Sequence, residues 1–395
     1  MSTRFSARVW FAALCLAWLL PGLVGHAPWK GPDAEVFAVY LQSRESGQWL
    51  LPGLSRDAAG DFAPLYFWIV HVFAQVFGYV LPLHDAARLA SGVLTAGTLW
   101  LSALTARRLY GEEAGWPVVF ALLGCAGLLV PAHEINPHTA QLAAVALFAY
   151  GLTRMCREPM TGGTLAGLGL SALFLSGAWL PALALAAVLM ILPLPLRSWR
   201  TSARVGGSWF ALSIFIALVG VWLMSAKQID PQRLALWWRD ASAGLVFFAP
   251  ERGRFQPAYF VEALAWFARP AWLVAGWAVY RLKREGWDSA RLWLPLGVFL
   301  AVFIALSLQT RPKQIESIIL LPPLALLAGA GLAELRRGAA NALMWFAIMS
   351  FSVLGLAFWL HWTALDLGWP TQLVKRLSKL GLEQEDLRLL PLLLG

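Results

Sequence analysis

The feature that most constrains this chain is a succession of long apolar runs separated by short, basic breaks. Apolar windows lie near 9–24, 86–106, 116–132, 138–153, 164–179, 180–196, 205–223, 258–280, 292–308, 315–335 and 340–361. A helix needs roughly 20 apolar residues to cross the hydrocarbon core, where every backbone amide must be paired within the protein. The runs are rich in Leu, Ala, Trp and Phe and do not alternate, so they predict helices and not barrel strands. The expected fold is an all-α polytopic membrane protein with about eleven transmembrane helices. Composition adds an exclusion: 13% charged residues is too few for a water-soluble domain, which carries about 25%.

The windows over 164–196 are nearly continuous, and the break is expected at Leu180-Pro181, because an unbroken helix would overshoot the bilayer and proline interrupts the hydrogen-bond ladder. Basic residues then set the topology. Arg4 and Arg8, Arg107 and Arg108, Arg154 and Arg157, Arg197, Arg200 and Arg204, Arg281, Lys283, Arg284 and Arg291, and Arg336 and Arg337 all fall in alternate loops. That alternation predicts a cytoplasmic N-terminus and places two long segments, about 25–85 and 224–257, on the opposite face. The net charge of +9 therefore reads as a topology signal, not as a nucleic-acid footprint. No small-x-small cleavage site follows the first window, which reads as an uncleaved span. Cys15, Cys125 and Cys156 form no CxxC pair and suggest neither a disulfide framework nor a metal centre.

Within the first long segment, 33–45 and 64–77 are expected to be interfacial helices on the outer leaflet, the former with Val36, Phe37, Val39 and Tyr40 at helical spacing. Residues 370–395 read as an amphipathic helix, with Leu373, Leu377 and Leu380 on one side of Lys375, Arg376 and Lys379. The expected organisation is a transmembrane unit over 1–361, followed by a tail over 362–395.

Charged residues outside the windows or at their ends are the candidates for chemistry. Asp33 and Glu35 follow the first span, and Asp61 precedes the box Pro64-Leu65-Tyr66-Phe67-Trp68. A carboxylate beside an apolar wall has its charged form disfavoured, which suits it to act as a general base; the plainer reading is a solvated loop acid. Arg88 reads as a phosphate clamp or as a snorkelling interface residue. Arg311 and Lys313 are two cations on a loop that the charge alternation puts outside, which favours a functional role. His84, His133, Glu134 and His138 together with Asp61 offer ligand types for a divalent ion, although no two of the histidines have a known ligand spacing. Trp237, Trp238, Arg239 and Asp240, near Arg252 and Arg254, read as an interfacial belt or as a contact to an acceptor's head group.

The stretch PDAEVFAVYLQSRESGQWLLPGL, followed by DFAPLYFW, GYVLPLHDAARLASGVL and RRLYG, resembles the C-type (GT-C), polyprenyl-phosphate-dependent glycosyltransferases. Among these it is most similar to the lipid A aminoarabinose transferases and the protein O-mannosyltransferases. The likeness extends over about residues 1–110, weakens through 110–200 and returns in SLQTRPKQIESIILLPPLALLAG. It implies a GT-C-like fold with Asp33 as the catalytic Asp of the Asp-Glu pair, acting as base, and Glu35 one position beyond the family's Glu. It further implies that Asp61 is the acid of the second box, a position associated with metal in some members, with His138 replacing an Asp further on. Arg88 matches an Arg of the family pattern. The departures are Phe62 where the family has Lys, and FLSGAWLP at 174–181, again without Lys.

The resemblance thus implies an inverting transfer of a sugar from a polyprenyl-phosphate-linked donor to a lipid, glycan or protein acceptor at the periplasmic face of a bacterial inner membrane. Asp33 and Glu35 would be catalytic. Arg88, Arg311 and Lys313 would bind the donor phosphate, Asp61 and His138 would hold any Zn, Mg or Mn ion, and Trp238 and Arg239 would lie on the acceptor side. Its partners would be the lipid-linked donor, the acceptor and the surrounding membrane lipids, with no nucleic acid. A transporter or flippase would instead predict charges buried in mid-span and paired broken helices. The missing lysines keep a second alternative open, a weakened paralogue acting as a partner subunit.

Overall fold

The computed structural model of the chain describes residues 2–28, 31–54, 62–245, 258–286, 289–332 and 334–379. Seventeen α-helices make up the described residues: α1 (Ser2–Leu19), α2 (Pro32–Ser46), α3 (Pro64–Phe77), α4 (Leu83–Tyr110), α5 (Gly115–Leu123), α6 (Ala126–Leu129), α7 (His138–Met155), α8 (Pro159–Leu175), α9 (Trp179–Ile191), α10 (Ser202–Ile229), α11 (Pro231–Ser242), α12 (Ala258–Phe267), α13 (Ala271–Glu285), α14 (Ala290–Ser307), α15 (Leu321–Leu332), α16 (Arg337–Asp366) and α17 (Thr371–Lys379). No strand occurs among them. The chain forms two compact units, one of Met1–His26 with Glu334–Gly395 and one of Ala27–Ala333. The first holds α1, α16 and α17; the second holds α2 to α15 and every candidate site residue that is described.

Each apolar window carries helix. Five helical segments among the described residues are long and apolar enough to cross a membrane: α4, α10, α14, Gln314–Leu332 and Arg337–Ala364. Several windows expected to be simple spans are shorter or broken. The window at 116–132 is divided into Glu112–Leu123 and Ala126–His133, bent by 79°. The window at 258–280 breaks between α12 and α13, where Pro270 caps the second helix. The break expected at Leu180-Pro181 lies earlier. Gly177, at φ +98, takes the left-handed conformation that ends α8, and Pro181 sits in the first turn of α9, where its missing N–H is no loss.

The two stretches expected as short helices in the first long segment are α2 and α3. Val36, Val39 and Tyr40 of α2 and Tyr66, Phe67, Val70 and Ala74 of α3 form one buried cluster with Ala87 and Ala90 of α4, Ile135, and Ala140 of α7. Both helices are thereby docked on the ends of α4 and α7. The second long segment is also largely helical: α10 continues to Ile229, and Asp230 starts α11 by accepting the Arg233 N–H at 2.9 Å.

Small residues let the central helices approach closely, a common way to pack helices where lipid offers no hydrophobic contrast. A Cβ added to Gly163 of α8 would fall 2.5 Å from the Gly207 carbonyl oxygen of α10, and one added to Gly151 of α7 would fall 2.5 Å from the Ala166 backbone nitrogen of α8. Both obstructions are backbone, so helices and not side chains must move. Gly163→Ala is expected to cost about 1–3 kcal/mol through overpacking. The measurement is a drop in the unfolding temperature of purified protein in detergent, with Gly206→Ala, which meets nothing within 4 Å, as the neutral comparison.

Candidate functional site

The site is organised by a buried charge cluster where α2, α4 and the segment before α7 meet. Pro32 opens α2, a position where its missing N–H is not needed, and Asp33 follows in the first turn, where the helix dipole favours an anion. Asp33 is 1% exposed. Its Oδ1 accepts the Ile135 N–H at 2.7 Å, and its Oδ2 faces Arg88 Nη2 at 3.4 Å. Arg88 is fully buried and also donates through Nη1 to Asp85 at 2.9 Å. Charges this deeply buried are retained only when paired.

The backbone beyond Ile135 is held as firmly. The Asn136 N–H donates to the Tyr66 hydroxyl at 2.7 Å and to Ser91 Oγ at 3.2 Å, and the Tyr66 and Ser91 hydroxyls lie 2.7 Å apart. The Asn136 side chain accepts the His138 N–H, His138 Nδ1 meets Gln141 Oε1 at 2.8 Å, and Gln141 donates to the Ser176 carbonyl at 2.8 Å. A second set of bonds holds three carbonyls of the first long segment. Trp222 Nε1 donates to Leu50 O, Arg233 Nε to Leu51 O and Trp237 Nε1 to Phe62 O, at 2.8–3.0 Å.

Directly in front of this cluster opens a cleft of about 540 Å³. Glu35, Phe62, Asn136, His138, Arg311, Lys313 and Glu316 all line it. The loop carrying the two cations is pinned by Thr310, whose N–H donates to the Gly244 carbonyl at 2.7 Å. Residues 176–181 and 240–245 supply much of the remaining lining.

The expected site residues separate by position. Glu35, His138, Arg311 and Lys313 line the cleft; Asp33 and Arg88 lie behind its wall, bonded to one another. Arg88 is no snorkelling residue, since its guanidinium is enclosed by protein. Asp61, Arg252 and Arg254 lie outside the described residues. Trp238 and Arg239 are not part of the lining. Trp238 backs Trp179 at 5.1 Å between ring centroids, and Arg239 pairs with Asp240, which does line the cleft. Trp237 is fully buried, so the interfacial-belt reading fails for it: the indole is a clamp on the Phe62 carbonyl. Among the described residues no three His, Cys, Asp or Glu side chains gather to hold a metal ion. His84 faces Asp85 and His133 faces the Leu129 carbonyl. On the cleft lining His138 is engaged with Gln141, and the carboxylates present are those of Glu35, Asp240 and Glu316.

Tyr66, Ser91, Gln141, Trp222 and Arg233 had no signal in the sequence as site residues. Only the Tyr66 box was marked, and for its neighbouring acid.

No protein-family model matches the sequence, and no curated protein does. Solved structures do match. The structure of ArnT from Cupriavidus metallidurans bound to undecaprenyl phosphate superposes with a TM-score of 0.73 at 16% identity, over 91% of this chain and 65% of that one. The chain has the fold of ArnT. The apo form of ArnT gives 0.69 at 17% identity over 92% and 65% of the two chains. The oligosaccharyltransferase of Archaeoglobus fulgidus in its apo form gives 0.51 at 12% identity over 89% and 54%. The chain therefore spans about two thirds of the length of ArnT. In this ArnT-like fold the segments singled out by the GT-C resemblance, 32–36, 62–63, 135–138, 176–181 and 309–316, all contribute to the one cleft.

Glu134 adjoins the cluster without lining the cleft. Burial first, and then the Asp33 carboxylate, push its carboxyl up to about 7, opposed by a hydrogen bond with Asn136 and by Arg88. The folded protein therefore holds this proton to higher pH than the unfolded chain, whose ordinary value is 4.5. Stability contributed by the bound proton is present at low pH and is lost as pH rises through about 7. Unfolding temperatures measured by intrinsic fluorescence are expected to fall between about pH 4.5 and 7 in the wild type, and this slope should flatten in Glu134→Gln.

Proposed function

We propose that the protein is a membrane glycosyltransferase that moves a sugar from a polyprenyl-phosphate-linked donor to an acceptor hydroxyl, on a lipid, glycan or protein, within this cleft. The observation that carries the reading is that Glu35 and two cations, Arg311 and Lys313, line one cleft, together with Asp240 and Glu316, in an ArnT-like fold. ArnT itself has been captured with undecaprenyl phosphate.

The chemistry needs a proton acceptor and a place for negative charge. The acceptor oxygen attacks the anomeric carbon while its proton passes to a carboxylate, and the bond from that carbon to the phosphate oxygen breaks with inversion. Charge that grows on the departing lipid phosphate is met by Arg311 and Lys313, which suit a phosphate far better inside a partly enclosed cleft than in open water. The resemblance assigns the base to Asp33. The geometry favours Glu35 as the group that meets the acceptor, because both Asp33 oxygens are engaged behind the wall. Asp33 is then a positioning residue that holds Arg88 and the 134–137 segment. Phe62 stands on the wall where the family has Lys, and the cation is supplied from the 309–316 loop instead.

The alternation of basic loops supports a cytoplasmic N-terminus and a cleft on the periplasmic face of a bacterial inner membrane. The test is sugar transfer by the full chain in liposomes with polyprenyl-phosphate sugars. Glu35→Gln is expected to lower kcat by about a hundredfold or more with little change in donor KM. Arg311→Ala and Lys313→Ala should chiefly raise donor KM. Full transfer by Glu35→Gln, with loss in Asp33→Asn at an unchanged unfolding temperature, would return the base to Asp33. Failure of the wild type to transfer from any donor that it binds would replace the enzyme reading with that of a partner subunit.

A further inference from the structure

The far ends of α4 and α7 carry a second cavity, of about 300 Å³, lined by Leu104, Arg107, Arg108, Glu112, Tyr150 and Arg157. Arg88 and Arg107 are separated by roughly 30 Å along α4 at the ordinary helical rise, about the thickness of the hydrocarbon core. This cavity and the cleft therefore belong to opposite membrane faces, whichever way the chain is inserted.

Three guanidinium groups share this small space with a single carboxylate. The nearby Arg154 is already matched by Glu158 one turn on. Assembling like charges this closely is unfavourable unless an anion offsets them. The side chains are also held in place. Arg108 lies over the Tyr150 ring at 5.6 Å, and Arg107 packs against Gly115, where a Cβ would come within 2.9 Å of its Nε. That Arg107 Nε is buried and meets no acceptor among the described residues.

We infer that this cavity binds a phosphodiester, and that the phosphodiester is the headgroup of an anionic phospholipid in the leaflet opposite the cleft. Arginine's planar fork suits phosphate oxygens, a tyrosine ring at the rim suits the headgroup level, and the cavity lies where the acyl chains could remain in the bilayer. α7 runs from this cavity to the cleft and α4 from it to the charge cluster behind the cleft, so an occupied site would fasten together the two helices that carry Arg88 and His138.

The test uses the full chain in nanodiscs containing phosphatidylglycerol and phosphatidylcholine, released into mild detergent, with retained lipid counted by native mass spectrometry. The wild type is expected to retain phosphatidylglycerol preferentially. Replacing the two exposed arginines together, Arg108→Gln with Arg157→Gln, should lower that preference by roughly thirtyfold, about a factor of five for each basic contact. The Arg108→Lys, Arg157→Lys pair should keep most of it, which separates loss of charge from loss of fold. Arg284→Gln, an exposed arginine outside the cavity, should leave it unchanged. Equal preference in the wild type and the Gln pair, or an equal loss in Arg284→Gln, overturns the site. Inorganic phosphate that displaces phosphatidylglycerol and stabilises the wild type equally well overturns the lipid assignment in favour of a soluble phosphate.

Discussion

A buried arginine has to be neutralised, and the way this chain neutralises Arg88 determines the arrangement around it. Its guanidinium takes Asp85 from its own helix and Asp33 from α2, while the second oxygen of Asp33 takes the Ile135 N–H. One carboxylate thus joins three segments that are far apart in sequence. Removing one partner from such a pair costs about 3–5 kcal/mol, because the other charge is left in low dielectric without compensation. The Asp33 carboxylate of this cluster also helps to keep the Glu134 proton in place, against the opposing charge of Arg88.

The cleft is a consequence of this anchoring. With the start of α2 tied down, Glu35 projects from the opposite side of the first helical turn into open space. The carbonyls of Leu50, Leu51 and Phe62 are held by donors from α10 and α11, and Phe62 lines the cleft. The loop bearing Arg311 and Lys313 lines the cleft and is held there by the bond from Thr310 to Gly244. None of these contacts is local in sequence. Each satisfies a loop carbonyl or amide that would otherwise be stranded beside apolar helices, through a side chain or, at Gly244, through the Thr310 N–H.

Sequence reasoning reached some of these residues and missed others for identifiable reasons. Glu35, Arg311 and Lys313 stood out because charge is scarce in this chain and each falls outside an apolar window. Arg88 stood out too, but its pairing did not, since no rule of spacing connects residue 88 to residue 33. Trp237 looked like an interfacial aromatic because tryptophans are common at that depth; its burial depends on Phe174, Trp222 and Trp238 closing around it. The α8–α9 break was displaced because Pro181 was given a role that Gly177 performs.

What the sequence determined by itself is the membrane character, the helical class, the positions of most helices and the alternation of basic loops. These follow from runs of apolar residues and from the cost of placing charge or unpaired backbone in lipid, which are properties of short stretches. The GT-C likeness was also legible, because it resides in contiguous motifs. Only the tertiary structure decided which acid is enclosed and which faces the cleft, which arginine is consumed in an ion pair, and where two windows break. Those outcomes depend on which distant groups meet in space, and burial is a property of the assembled helices and not of any one segment.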